Sequence, residues 1–526
     1  MLIEILDSLS TVKKPLQTKY YSLYIADPME EENRFINAER EDTELPTFQN
    51  AKDVLPHPFW SGHEETINCY WKAWEIAFGN LRKPAPDSGF VSNFIDTAFN
   101  NCLFMWDSSF ILLFARYGSR AFQFQRTLDN FYAKQHKDGF ICREIDESSG
   151  TDRFHRHDPS STGPNILPLA EWEYYQNFGD KDRLTQVFPV LVSYHRWLRQ
   201  YRTWPDGTYW STGWGCGMDN QPRLKENYHE SWSHGHMTWL DTCLQQILSA
   251  KLLLKMGREI DRVSELRDFE DEVKALSNHV NQKMWDDESA FYYDLWSDGQ
   301  LNYVKSIGAY WSLLADVILE HNKERFIAHL MNEKEFNRPH PIPTLSADHP
   351  RYSEEGEYWR GGVWAPTNYM VLKGLQTSGY NNLTHELSTR HLENVVRVFS
   401  ETGTLWENYS PEFASRGNHS KGDFVGWTGL SPIAMLFEFV FGLKPDVPNS
   451  KLIWDIRLLE EHGITSYPYG REGVIDLRCD ERDTPEQAPV ITASSTVSVT
   501  LVVRWENGQE TIISVPPRNL RDTTDL

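Results

Sequence analysis

One unit recurs along this chain: an apolar stretch with helical spacing, a Gly or Asn, a short charged segment, then a second amphipathic stretch. Its turns are Phe78–Lys83 (FGNLRK), Tyr117–Phe122 (YGSRAF), Phe178–Arg183 (FGDKDR), Met256–Arg262 (MGREIDR), His321–Phe326 (HNKERF) and Ser378–Leu383 (SGYNNL), with Phe441–Asp446 (FGLKPD) closing the series. Gly or Asn after the last apolar turn accepts the left-handed backbone that ends a helix, and the next Asp, Ser or Asn can cap its successor. Between turns the apolar positions keep to one face. Leu244, Ile247, Leu248 and Leu252 follow Asp241, and Leu184, Val187, Val190, Leu191, Tyr194 and Leu198 follow Gly179. The turns are unevenly spaced, so the pattern is not a strict solenoid. Long loops rich in Gly, Pro, Trp and Asp separate the hairpins, at His155–Pro164, Trp204–Pro222, Thr344–Pro366 and Thr402–Thr428. Loops of that length are uncommon in compact domains unless they carry function. Helical hairpins with elaborate loops at one end predict an all-α fold, a closed (α/α)6 barrel.

The flanks read differently. Residues 1–55 form an N-terminal extension with an extended-looking piece at Tyr20–Ile25 and an acidic stretch at Met29–Glu44. From Asn449 onward, short β-branched runs take over. Thr496–Trp505 alternates, and an Asn-Gly turn leads into Glu510–Val515, a strong hairpin signal. The expected division is 1–55, a barrel domain at 56–448, and a small β-rich appendage at 449–526.

Composition narrows the partners. The 526 residues carry a net charge of −23, which repels phosphate backbones and anionic lipid, so neither nucleic acid nor a membrane is an expected partner. No apolar run has the length of a membrane span, and the start MLIEILDSLSTVKKPLQ lacks a leader pattern, so the expected setting is cytoplasmic. Cys69, Cys102, Cys142, Cys216, Cys243 and Cys479 are scattered without a CxxC, which predicts free thiols and no metal site. Twenty tryptophans suit either an aromatic core or a cleft whose flat faces stack on sugar rings. The sequence carries no signal for an oligomeric state.

Two loops concentrate chemistry. Thr208–Arg223 (TYWSTGWGCGMDNQPR) sets Asp219 and Asn220 after Gly213, Trp214, Gly215 and Gly217. Glycines let backbone approach a ligand, and an acid in such a cleft acquires a tuned pKa; a tight turn with Asp219 as a cap is the alternative. Gly403–Phe413 (GTLWENYSPEF) holds Glu407 among aromatics, where desolvation raises a carboxyl's pKa, or where it is simply a partly exposed loop residue. Phe104–Phe110 (FMWDSSF) with Trp106 and Asp107, His157–Trp172, and Tyr358–Asn368 (YWRGGVWAPTN) with Trp359, Arg360 and Trp364 read as substrate walls.

These segments resemble glycoside hydrolase family 63 and its trehalase-containing clan. Gly215–Arg223 is similar to the family's GSGMDNSPR segment, and Trp106-Asp107, Tyr358–Trp364 and Trp406–Tyr409 resemble its WD, YWRGPVW and E-x-Y segments. Phe424–Leu430 (FVGWTGL) is similar to the F-x-WTG stretch that follows. The resemblance covers roughly residues 60–445, in the family's order. It implies an (α/α)6 barrel and hydrolysis of an α-linked glucosyl or mannosyl residue of a short saccharide with inversion, with Asp219 as general acid and Glu407 as general base. It also implies that Asp107 binds hydroxyls of the sugar, with Trp359, Arg360 and Trp364 lining that subsite; Trp214, Asn220, Tyr409 and Trp427 complete the expected contacts. No cofactor or metal is implied. Departures are Gly362 in place of Pro, Cys216 in place of Ser and Gln221 in place of Ser. Two other readings keep a place: a lyase or epimerase on a similar barrel, using a base near His229, His234 and His236, and a sugar-binding protein without catalysis. Arg143, Arg223, Lys305 and Arg360 would either hold an anionic aglycone or pair with neighbouring acids.

Overall fold

The computed structural model of the protein describes residues 28–518, together with 16–17 and 22–24. The expected extended piece at Tyr20–Ile25 lies partly outside the described residues; within it Ser22–Tyr24 pairs antiparallel with Leu16–Gln17.

Helices dominate up to residue 440. They are α1 (Glu64–Gly79), α2 (Met105–Ala115), α3 (Thr127–Ala133), α4 (Leu167–Phe178), α5 (Lys181–Tyr201), α6 (Leu240–Glu259), α7 (Arg267–Lys283), α8 (Trp311–Leu314), α9 (Glu320–Ile327), α10 (Ala365–Thr377) and α11 (Asn381–Thr402), followed by a helical segment with π-type winding at Ser431–Val440. Turn chemistry explains the boundaries. Gly179 ends α4 at φ 64°, and the Asp180 carboxylate then accepts from the Arg183 N–H to cap α5. Gly379 and Gly403 bracket α11 in the same left-handed conformation. One expected turn is corrected: His321–Phe326 lies inside α9. That stretch has no Gly, and the chain reverses earlier, at the left-handed Asp316.

Among the described residues, six inner segments touch in a ring. Helix α2 meets α4, α4 meets α6, α6 meets α8, α8 meets α10, α10 meets Trp427–Leu430, and Trp427–Leu430 returns to α2. Outside the ring, α5 packs on α4 and α6, α7 on α6, and α11 on α10 and on Ser431–Val440. The periodic apolar positions of α5 and α6 are all buried, α5 being covered on more than one side. Inner helix α2 is buried along its whole length, including polar Asp107, Ser108 and Ser109. A fully buried helix with hydroxyls and a carboxylate in it marks a polar interior to the ring.

The β portion is larger than the small appendage expected. One four-stranded sheet runs Leu443–Asp446, Lys451–Asp455, Val499–Trp505, Gln509–Val515, its last two strands forming the hairpin read from the Asn-Gly signal. A second runs Ile491–Ser495, Gly473–Cys479, His462–Tyr469, His57–Trp60. The strand that crosses from the N-terminal side is therefore His57–Trp60, paired with His462–Thr465. Leu443–Asp446 and His57–Trp60 belong to the sheets although both fall within 56–448. The hairpin of His462–Tyr469 and Gly473–Cys479 docks on the end of α4, where Asn177 donates to the Pro468 carbonyl at 2.9 Å and Gly470 N–H donates to the Asn177 carbonyl at 3.0 Å. Among the described residues no helix is long and apolar enough to cross a membrane, and the six cysteines are free and buried.

Each long loop runs into the N-terminus of an inner segment. Gly163 and Pro164 precede α4, Asp219 precedes α6, Tyr358 and Trp359 precede α10, and Glu407 precedes Trp427–Leu430. These corners converge on one cavity.

Candidate active site

The cavity holds about 510 Å³ and is lined by Trp106, Asp107, Trp214, Asp219, Trp359, Glu407 and Trp427 among others. Local structure explains how each arrives. Strand residues Phe104 and Glu144 pair, and Met105 N–H donates to the Arg143 carbonyl at 2.8 Å, so Asp107 in the first turn of α2 sits beside Arg143 and Glu144. Thr212 caps a single helical turn at Gly213–Cys216, and left-handed Gly217 then swings Met218 and Asp219 inward. A Cβ on Gly217 would lie 3.0 Å from the Trp106 indole nitrogen, so the loop needs glycine there for space as well as for conformation.

Beneath this loop, Arg223 forms paired hydrogen bonds with Asp241 (2.6 and 3.0 Å) and with Asp294 (2.8 and 2.6 Å), all three side chains buried. The loop is also latched to its neighbour. Asn220 Oδ1 accepts from Trp359 N–H at 2.9 Å, and Arg360 Nε donates to the Asn220 carbonyl at 3.1 Å. The Glu407 loop joins the same frame, since Val363 and Tyr409 exchange backbone hydrogen bonds at 2.8 and 3.0 Å.

The two loop acids differ in their partners. Glu407 accepts from Lys421 N–H at 3.2 Å and from the Tyr358 hydroxyl at 3.2 Å. Burial pushes its pKa up to about 7, against those two donors and with the nearby Asp219 adding to the rise. Burial pushes Asp219 up to about 6; the Arg143 guanidinium opposes this and Glu144 reinforces it. Asp107 is raised well above the ordinary carboxylate range, first by burial and then by Glu144 and Glu407. Arg143 itself is fully engaged: it pairs with Glu144 at 2.5 Å, donates to Ser160 and Trp214 carbonyls, and lies over the Phe154 ring.

Of the residues expected at the site, Asp219, Glu407, Trp106, Asp107, Trp214, Trp359 and Trp427 line the cavity. Four do not. Asn220 is turned into the loop latch. Arg360 is engaged by Glu230 at 2.8 and 3.1 Å, as a long cation in an acidic protein readily is. Trp364 stacks under Trp359 at 3.9 Å between nearly parallel rings and supports the wall from behind. The hydroxyl of buried Tyr409 accepts from Trp406 N–H. Arg223 and Lys305 are likewise held, Lys305 by Glu335 and by Asp348. His229, His234 and His236 lie away from the cavity. Sequence reasoning missed Glu144, Tyr358, Phe99 and Phe154 as lining residues. Only Tyr358 carried a signal, as the first residue of the YWRG segment. Among the described residues no three His, Cys, Asp or Glu side chains are arranged to hold a metal ion.

A family model described as the mannosylglycerate hydrolase MGH1-like glycoside hydrolase domain matches residues 101–428. A probable mannosyl-oligosaccharide glucosidase from Schizosaccharomyces pombe is 25% identical over 280 residues, covering 47% of this chain and 34% of that protein. A mannosylglycerate hydrolase from Rubrobacter radiotolerans is 22% identical over 412 residues, covering 63% of this chain and 90% of the relative. Among solved structures, a family 63 mannosylglycerate hydrolase from Thermus thermophilus, in complex with Tris and D-glycerate, superposes with a TM-score of 0.56 at 18% identity, over 69% of this chain and 98% of the other.

Proposed function

The chain belongs to the mannosylglycerate hydrolase MGH1-like glycoside hydrolases of family 63, and from that premise we propose that it removes an α-linked glucosyl or mannosyl residue from a short saccharide or glycoside in one inverting displacement. The ring of inner helical segments with outer helices packed against it is read as an (α/α)6 barrel, and the catalytic unit as residues 56–448. The observation that carries the mechanism is a pair of carboxyls facing one cavity, Asp219 and Glu407, both raised by burial, to about 6 and about 7, so that they share one proton near neutral pH. Lys421 N–H and the Tyr358 hydroxyl donate to Glu407 and favour its ionised form, which suits it to the base.

Asp219 gives its proton to the leaving oxygen as the glycosidic bond breaks. Glu407 takes a proton from a water that attacks the opposite face of an oxocarbenium-like transition state. Asp107 binds hydroxyls of the reacting sugar, and Trp106, Trp214, Trp359 and Trp427 offer it flat apolar faces. A volume near 510 Å³ fits a short substrate, being within the range of about 300–1,000 Å³ usual for small-molecule sites.

The test is turnover of α-linked disaccharides and glycosyl-glycerates by purified protein, beside Asp219→Asn and Glu407→Gln, with NMR of the first-formed anomer. Turnover lost by several orders of magnitude in both variants, and an inverted first product, are expected. A retained anomer refutes the single displacement. Sugar binding without turnover on any substrate replaces the hydrolase with a binding protein.

A further inference from the structure

A second cavity, of about 610 Å³, lies apart from the proposed catalytic residues. Its walls are the Trp204–Gly207 turn, the last turns of α7, and the strands Met237–Thr238 and Asp294–Trp296, which pair directly through Thr238–Leu295 and Met237–Trp296. Into it face Trp204, Asp206, His236, His279, Trp296 and Ser297.

Several features of this lining are unexplained by packing. His236 holds a left-handed backbone at φ 53°, a conformation costly for a residue with a Cβ and one that clusters at functional sites. Its ring stacks over Trp204 with an interplanar angle of 27°. Trp204 anchors its own polar edge by donating to the Met237 carbonyl at 3.0 Å. His279 has a buried Nε2 without a hydrogen-bond partner. Asp206 accepts from the Thr208 N–H and hydroxyl through one oxygen only, Oδ1.

The chemistry selects among ligands. An apolar molecule would take the exposed Asp206 carboxylate and His236 imidazole out of water and still leave His279 Nε2 without a partner, a desolvation cost with nothing to offset it. An anion would meet the Asp206 carboxylate as well as the Lys283 ammonium that also lines the cavity, in a protein of net charge −23. Burial holds His279 below the ordinary imidazole range, hence neutral near pH 7, so its ring carries one donor and one acceptor nitrogen. A sugar ring matches this lining: hydroxyls that both donate and accept, and a C–H face for the indoles. From the juxtaposition of Trp204, Trp296, Asp206, His236 and His279 around one cavity, we propose that this is a second saccharide-binding site, separate from the catalytic cavity. The stretch from Trp204 to Thr238 that forms part of it also carries Asp219, so a bound sugar sits at the root of the proposed acid's loop.

The test uses full-length protein labelled with ¹⁵N-histidine and titrated with methyl α-D-mannopyranoside and with maltotriose. The His236 and His279 ring signals are assigned by their loss in His236→Gly, which suits the left-handed backbone, and in His279→Gln. Both signals are expected to shift saturably, and exposed Ser297→Trp, which fills the mouth, is expected to weaken that shift at least tenfold while leaving turnover intact. Sugars that move neither signal, or a Ser297→Trp protein that responds like wild type, overturn the proposal. Because the readout is site-specific, it stands or falls independently of hydrolysis at Asp219 and Glu407.

Discussion

The Tyr358 hydroxyl donates to Glu407 Oε1 at 3.2 Å, from a residue whose own backbone is left-handed at φ 55°. A non-glycine residue in that region costs of order 1–3 kcal/mol and persists only where its surroundings impose it. Here the Tyr358 carbonyl is pinned by the Trp364 indole N–H and the Gly362 N–H, each at 3.1 Å. The strain aims the phenol at the proposed base.

Tyr358→Phe removes a donor that favours ionised Glu407, so the carboxyl rises further above its present value of about 7. A hydrogen bond to a charged group is worth about 1.5 kcal/mol at the low end, or roughly one pH unit. Because Glu407 titrates above Asp219, the falling limb of kcat/KM against pH is expected to move upward by about that amount and the maximum to drop roughly tenfold, with little change in Tm. An unmoved limb would separate Tyr358 from the base.

The wild-type profile itself should be a narrow bell. Below about pH 6 both carboxyls hold protons and no base exists; above about pH 7 both are ionised and no acid exists. The two limbs belong to the pair rather than to single residues. With Glu407 the higher of the two, the one proton rests mainly on Glu407 in the free protein, and the productive arrangement with it on Asp219 is a minority of roughly one in ten. An aryl α-glycoside whose leaving group needs no proton should therefore lose the falling limb in Asp219→Asn and keep the rising one. A falling limb that persists in that variant contradicts the assignment of Asp219 as acid.

How much of this could be read from residues alone follows from the range of each interaction. Helix ends at Gly179, Gly379 and Gly403 are local events written in local sequence, and the loops carrying Asp219 and Glu407 announce themselves by glycine and tryptophan. Trp359 and Trp364 look equivalent in YWRGGVW, yet one faces the cavity and the other stacks behind it, because orientation depends on a reversal at Tyr358 that no residue type marks. Arg360 reads as a ligand group until Glu230, distant in sequence, is seen to hold it. Glu144 reaches the site through a strand pair of three residues, too short to show a period. The sheet that recruits His57–Trp60 depends on pairing with His462–Thr465, a contact across most of the chain.

Arg223 should be a highly sensitive position outside the cavity. Replacing it with Met leaves Asp241 and Asp294 buried without their cation, and breaking a buried ion pair from one side costs about 3–5 kcal/mol. The Asp219 loop loses its footing at the same time. A marked fall in Tm together with a fall in kcat is expected, while the double change Arg223→Met with Asp241→Asn should recover part of the stability. A protein with unchanged Tm would show that the two carboxylates find other partners.

Gly362 stands where the YWRGPVW segment that Tyr358–Trp364 resembles has Pro. In this structure the Gly362 N–H donates to the Tyr358 carbonyl, and a Cβ at Gly362 would lie 2.1 Å from that same oxygen and 2.9 Å from the Trp364 indole nitrogen. Proline would remove the donor and force the carbonyl away, releasing the left-handed Tyr358 that serves Glu407. Gly362→Pro is therefore expected to lower kcat/KM more than Tyr358→Phe does and to shift the falling pH limb in the same direction. Gly362→Ala keeps the N–H but not the space, so it should fall between wild type and Gly362→Pro. Full activity in Gly362→Pro would mean that the loop has a second arrangement in which Tyr358 still reaches the base, and a crystal structure of that variant would show it.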